Sequence, residues 1–238
     1  MIAPAAGAGE HEGPTAPAAG APGLARRVRH LRELAPDPRR RTVVGIAGPP
    51  GAGKSTLAAA VVADLVASGR AAALVGLDGF HLAQRVLDRA GLAPIKGAPE
   101  TFDPTGYLAL LHRLRAIPRE TVYAPAFDRS LEEPIAGAVP IGPEVDVVVT
   151  EGNYLLLDAP PWGGIRSLLD ESWYLQTAED VRIERLVARH VRFGRAPQEA
   201  RRRATVGSDG ANAALVIASR HAADLVVTDL ELPERGGG

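Results

Sequence analysis

Cysteine is absent from the chain, which excludes disulfides and thiolate-held metals. That absence fits a reducing compartment. Lysine is nearly absent: of 27 lysines and arginines, only Lys54 and Lys96 are lysine. Against so arginine-rich a background, two retained lysines mark positions that want a compact ammonium rather than a planar guanidinium. The histidines show no metal-ligand spacing, and no HExxH pair occurs. A formal charge of -1 supplies no broad basic field, so nucleic acid is not an expected partner. The first residues lack the basic start and apolar centre of a signal peptide. No apolar run reaches membrane-spanning length, because Asp64 and Arg70 interrupt the best candidate. The expectation is a cytoplasmic protein with no membrane partner.

What the chain does have is alternation of strand-like and helix-like segments. Residues 1–22 are mostly Ala, Pro and Gly and read as a disordered tail. Residues 23–230 read as one domain, and 231–238 as a flexible tail. Leu24, Val28, Leu31 and Leu34 have helical spacing ahead of Pro36. Thr42–Ala47, Ala71–Leu77, Val145–Thr150, Ser172–Gln176 and Asp224–Thr228 read as strands. Helical patterns fill Thr56–Val66, Leu82–Ala90, Thr105–Ile117 and Glu179–Phe193. A further one over Gln198–Ala218 is broken near Gly207–Gly210. Val122–Ile141 reads as a small β-excursion over the site. Strand–helix alternation implies an α/β fold, with a five-stranded parallel sheet flanked by helices and right-handed crossovers.

Gly48-Pro49-Pro50-Gly51-Ala52-Gly53-Lys54-Ser55 fits G-x-x-x-x-G-K-[ST], the phosphate-binding loop. It lies between a β-branched strand and a helix, where the mechanism needs it. Backbone N–H groups and the positive helix end converge on one point there, and glycine lets a phosphate approach. Lys54 reaches the terminal phosphates, Ser55 holds Mg²⁺, and Thr56 extends the same turn.

Asp78 and Glu151 each stand just past a strand's C-terminus, where ligands bind in parallel sheets. Asp78 can take a proton from a substrate hydroxyl, or it can cap the following helix. Glu151 can hold Mg²⁺ or bind the acceptor, or it can be an exposed acid. Arg182, Arg185, Arg189 and Arg192 recur at three- and four-residue steps on one helix face, with Ile183 and Val187 expected to pack inward. Such a row can close over a triphosphate, Arg185 and Arg189 first, or can be a solvated face. His81, Lys96, Tyr123 and Arg129 are candidates to grip a polar substrate. Each of them has a plain alternative as a structural side chain.

Five segments together resemble one family: Gly48–Ser55, Leu77–His81, Lys96–Asp103, Tyr123–Arg129 and Glu151–Leu156. In this order they look like the uridine kinase, phosphoribulokinase and bacterial pantothenate kinase group, from about Val43 to about Ala218. The resemblance implies a P-loop NTPase of the nucleoside-monophosphate-kinase type with a helical arginine lid. It implies ATP and Mg²⁺, and a small-molecule hydroxyl as phosphoryl acceptor: a nucleoside, a sugar or a pantothenate-like compound. It implies Asp78 as base, with Lys54, Glu151 and Arg185 in the catalytic set. Arg185 and Arg189 would serve the donor, and Lys96, Tyr123 and Arg129 would lie toward the acceptor. The residues after Phe80 depart from the uridine kinase acceptor pattern, and Lys-Gly-x-Pro-Glu leans toward pantothenate kinases. A homodimer is an assembly the reading allows. The alternative class is a nucleotide-dependent switch or chaperone, but its guanine-reading Asn-Lys-x-Asp cannot be formed by either lysine.

Overall fold

The computed structural model describes Thr15, Ala16 and residues 20–228. The expected tail at 231–238, and most of that at 1–22, lies outside the described residues. The central layer is a parallel sheet. It contains β1 (Thr15–Ala16), β2 (Thr42–Ala47), β3 (Ala72–Gly76), β6 (Val147–Glu151), β7 (Glu171–Leu175) and β8 (Leu225–Val227) in the order β1-β8-β7-β2-β6-β3. The five predicted strands are all present. β1 is an addition: two residues within the Ala/Pro/Gly-rich segment pair with the outer edge of β8, Thr15 opposite Val226.

Every residue of β2, β6 and β7 is buried. Helices cover both faces of a parallel sheet, so such strands read as unbroken apolar runs. Side chains still alternate. Val43, Ala47 and Val148 face α4 (Pro104–Leu114), packing with Tyr107, Leu110, Leu111 and Leu114. Val44, Ile46 and Val149 face the other way, onto Leu24 and Val28 of α1 (Ala21–Glu33) and Leu57, Val61 and Leu65 of α2 (Lys54–Ala67). α1 is also tied electrostatically. Arg27 pairs with the buried Glu171 carboxylate, which accepts the Trp173 indole N–H at 2.8 Å.

Two short insertions frame the site. After β3 the chain makes a 3₁₀ turn, Leu77–Phe80, and then α3 (Gln84–Ala90). β4 (Val122–Asp128) and β5 (Glu133–Ile141) form the predicted excursion as an antiparallel hairpin. Its β4 strand packs onto the Leu77–Phe80 turn so closely that a Cβ on Gly79 would sit 2.6 Å from the Pro125 carbonyl oxygen. On the C-terminal side, α5 (Glu179–Arg192), α6 (Pro197–Thr205) and α7 (Ser208–Ala218) form a helical block. α6 and α7 divide at the expected Gly207–Gly210 break.

At the opposite end of the sheet Arg41 is 1% exposed. Its guanidinium donates to four carbonyls, of Leu114, Glu120, Gly142 and Val145, at 3.0, 3.0, 3.0 and 3.1 Å. It therefore joins α4, the β5–β6 connection and the start of β2. Arg41→Met leaves those buried acceptors without donors, and each costs about 1 kcal/mol or more. The expected loss is at least about 3 kcal/mol in urea unfolding, with an unchanged m-value. A loss below half of that would mean that water replaces the guanidinium.

Candidate active site

Register places the site. Ile46 of β2 stands opposite Glu151 of β6, and Gly76 of β3 stands opposite the same Glu151. Three strands therefore end on one rim, with neighbours roughly 4.8 Å apart. The phosphate loop, the Glu151 carboxylate and the Asp78 turn leave from that rim side by side.

The loop has the strained backbone its glycines allow. Gly48, Gly51 and Gly53 take φ of 154°, 86° and 99°, values that side chains rarely tolerate. α2 begins at Lys54 with no side-chain cap, and its positive end faces the turn of the loop. Pro49 and Pro50 are buried in the turn, and Ala52 is fully buried. Thr56 follows on α2, half-buried.

Lys54 is buried and its ammonium is held by Asn153 Oδ1 at 2.6 Å and the Pro49 carbonyl at 3.2 Å. Ser55 Oγ donates to Glu151 Oε1 at 2.9 Å. Burial and the neighbouring Asp78 push the Glu151 pKa up, while Lys54, Ser55 and Arg129 pull it down. Burial lowers the Lys54 pKa to about 8, despite the opposing pull of Glu151 and Asp78. A bound triphosphate stabilises the ammonium, so nucleotide binding above about pH 8 should take up a proton. Affinity should then fall as pH rises through that value, by up to about tenfold per pH unit. Calorimetry in buffers of different ionisation enthalpy measures the uptake directly; none at pH 9 would mean that the amine is already charged in the free protein.

Asp78 lies in the 3₁₀ turn and does not cap α3. That helix starts after Ala83, and its Gln84 N–H is taken by Glu133 at 3.0 and 3.1 Å. The Asp78 carboxylate instead pairs with Arg129, Oδ2 to Nη2 at 3.0 Å, leaving Oδ1 for a substrate. His81 donates from Nδ1 to the Asp78 carbonyl at 2.9 Å and packs its ring 3.9 Å from that of Phe102. Burial lowers the pKa of His81, keeping the imidazole neutral, although the nearby Asp78 opposes this. Lys96 bonds Gln84 Oε1 at 3.1 Å and the Glu132 carbonyl at 2.9 Å, with its ammonium 5.5 Å from the centre of the Phe127 ring. Arg129 lies 5.7 Å from that same ring centre. Tyr123 is not brought to this group. It is exposed, on the face of β4 opposite buried Val122 and Ala124, and at the far end of the strand from Arg129.

The arginine helix does lie over the phosphate loop, with a different face inward from the one expected. Arg182 and Leu186 are buried, while Ile183 and Val187 are only half-buried. A Cβ on Gly51 would meet the Arg182 carbonyl oxygen at 2.7 Å and Leu186 Cγ at 2.8 Å, so glycine there admits the helix. The Arg182 guanidinium reaches the Pro50 carbonyl at 3.4 Å and Glu179 at 3.0 Å, and is structural. Arg185 donates to the Ala52 carbonyl at 3.2 Å. The Arg189 pKa is lowered by burial and by the Arg129 guanidinium, against the pull of Asp209, Asp78 and Glu132. Among the described residues no carboxylate forms an ion pair with Arg189. Arg192 is exposed.

Two contributors lack a sequence signal of their own. Asn153 holds Lys54, and Phe127 has both outer cations within 5.5 and 5.7 Å of its ring centre. Among the described residues no group of three or more His, Cys, Asp or Glu could cage a metal. Ser55 and Glu151 offer adjacent hard oxygen donors, which suits Mg²⁺ held through one carboxylate, water and substrate phosphates.

Comparison with known proteins finds a GTPase family model and kinase-like relatives. The family model for the methylmalonyl Co-A mutase-associated GTPase MeaB matches residues 21–81. That span covers α1, β2, the phosphate loop, α2, β3 and the chain as far as His81, a segment that kinases and GTPases can share. A Schizosaccharomyces pombe protein provisionally assigned as uridine kinase C227.14 is 31% identical over 82% of this chain and 86% of its own. The uncharacterized protein YggC of Escherichia coli is 34% identical over 84% of this chain and 81% of its own. A Silicibacter structure, provisionally described as a fructose transport system kinase, is 42% identical with a TM-score of 0.79. That match covers 87% of this chain and 98% of the other.

Proposed function

We propose a reaction from one premise: the chain belongs to the P-loop kinase family of the uridine kinase-like proteins. It transfers the γ-phosphoryl group of Mg-ATP to a hydroxyl of a small molecule. The observation that carries this reading is Asp78. Its carboxylate is held on the same rim as Lys54 and Glu151, oriented by Arg129 and roofed by the β4–β5 hairpin.

The roles follow from charge and position. Asp78 Oδ1 takes the hydroxyl proton while the acceptor oxygen forms a bond to the γ-phosphorus and the bond to the ADP oxygen breaks. Lys54 and the N-terminus of α2 neutralise the donor phosphates. Arg185 and Arg189 lie on the helix that overhangs the loop and meet charge developing in transfer. Ser55 and Glu151 would hold Mg²⁺, which would supply charge neutralisation to the donor phosphates. A cavity of about 190 Å³ beside the loop, lined by Pro49, Thr177, Arg182 and Arg220 among others, would take the donor's nucleoside part.

ADP release with Mg-ATP and a panel of nucleosides, sugars and hydroxy acids tests the reading. ADP formation that rises with one hydroxyl compound supports it, and hydrolysis indifferent to every acceptor counts against it. The match of residues 21–81 to a GTPase model favours a second reading, a nucleotide-dependent switch. That reading predicts acceptor-independent hydrolysis and a strong preference for GTP.

A further inference from the structure

Lys96 is held more firmly than a surface lysine needs to be. Gly97 takes φ of 102°, and its N–H donates to Thr101 Oγ1 at 3.0 Å. Thr101 is fully buried and passes its own proton to the Ala98 carbonyl at 2.7 Å. The Gly97 carbonyl accepts the buried Tyr154 hydroxyl at 2.5 Å, and the Lys96 carbonyl accepts Arg203 of α6 at 3.2 Å. Backbone on both sides of the lysine is thus fixed from the core and from the helical block.

The ammonium at the end of this built loop is not neutralised. Its partners are an amide oxygen and a backbone carbonyl, and among the described residues no carboxylate forms an ion pair with it. An ammonium has three N–H donors, and one is left over. The other cation on the Phe127 ring, Arg129, is already matched by Asp78. Both charges border one ring, at 5.5 and 5.7 Å from its centre, so Lys96 and the Asp78–Arg129 pair share Phe127 as a neighbour. Glu133 is spent on the Gln84 N–H, and Asp209 on His190 and Arg203.

We infer that the acceptor is itself an anion, a hydroxyl compound carrying a carboxylate or a phosphate, and that Lys96 binds that group while Asp78 receives the hydroxyl. The inference rests on the kinase reading and narrows it. A neutral nucleoside or free sugar leaves the leftover charge unmet. An anion completes it with a charge-assisted hydrogen bond, worth roughly 10- to 100-fold in affinity. Phe127 supplies an apolar surface beside both polar ends.

The test pairs anionic compounds with neutral counterparts of nearly the same shape. D-glycerate with glycerol and pantothenate with pantothenol form the carboxylate arm; fructose 6-phosphate with fructose forms the phosphate arm. Binding to the full chain is measured by calorimetry with a non-hydrolysable ATP analogue present, and turnover by ADP release. The expected result is tighter binding of an anionic member, and a Lys96→Gln variant that weakens it roughly 10- to 100-fold while the neutral partner is unmoved. Lys96→Arg should restore part of the loss. The arm that responds identifies the anion. Neutral members bound as well as anionic ones, an equal loss for both in Lys96→Gln, or no binding by any member overturns the inference. Selective, Lys96-dependent anion binding without phosphoryl transfer would leave the anion site at Lys96 standing and remove the kinase reading.

Discussion

Asp78→Asn should lower kcat by roughly 100- to 10,000-fold, the range expected for loss of a positioned general base. The change is nearly isosteric, so the Leu77–Phe80 turn keeps its shape. The His81 contacts to the Asp78 carbonyl involve backbone and survive. Binding of Mg-ATP should change little, because Lys54, Ser55 and the turn at the start of α2 are untouched. The variant loses its charge partner for Arg129 as well, and this is why two readouts are needed. Arg129→Gln removes the ion pair while leaving the carboxylate. It should cost far less in kcat than Asp78→Asn if the carboxylate acts on the hydroxyl. Equal losses in both variants would reduce Asp78 to an anchor for the hairpin. Full activity in Asp78→Asn would remove it from the mechanism.

Lys54→Ala should cut kcat/KM for ATP by roughly 100- to 1000-fold, the cost of deleting one preorganised donor to developing negative charge. The ammonium is already positioned by Asn153 and Pro49 before nucleotide arrives, so little reorganisation is needed. A bound phosphate has only to displace or share those two oxygens. Lys54→Arg should be nearly as damaging as alanine, since a forked guanidinium does not fit a buried slot that holds a compact ammonium. Melting experiments separate chemistry from folding. Removing a buried ammonium whose pKa burial lowers should leave the free protein no less stable near neutral pH, while the stabilisation conferred by Mg-ATP disappears. Retained stabilisation by nucleotide in Lys54→Ala would show that the helix end alone carries phosphate binding.

Three parts of this molecule could be read before any coordinates. The phosphate loop is specified by local rules, because its glycines, lysine and serine act at fixed steps along one turn. β2 and β6 announce themselves as continuous β-branched runs, since a strand covered on both faces has no polar side to show. Asp78 and Glu151 were placed by their position just past strand ends, a consequence of the parallel sheet. The arginine helix was harder. Its 3.6-residue period gives an arginine face and an apolar face, but does not say which neighbour takes which. The bare Gly51 backbone admits Arg182 and Leu186, and that contact is invisible from the helix alone.

The chain's order of segments therefore determined the sheet, the phosphate loop, the two rim carboxylates and the hairpin, because each rests on periodicity or on chemistry within a few residues. Only the folded structure decided that Arg182 packs against the phosphate loop. It alone put Asn153 on Lys54, turned Tyr123 to solvent and extended the sheet by Thr15–Ala16. It also left Lys96 with a neutral shell and one unused donor. These are matters of which surfaces meet across long sequence separations. Burial and pairing there are set by shape and by the cost of leaving a charge or a polar group unmatched, and no local pattern records them.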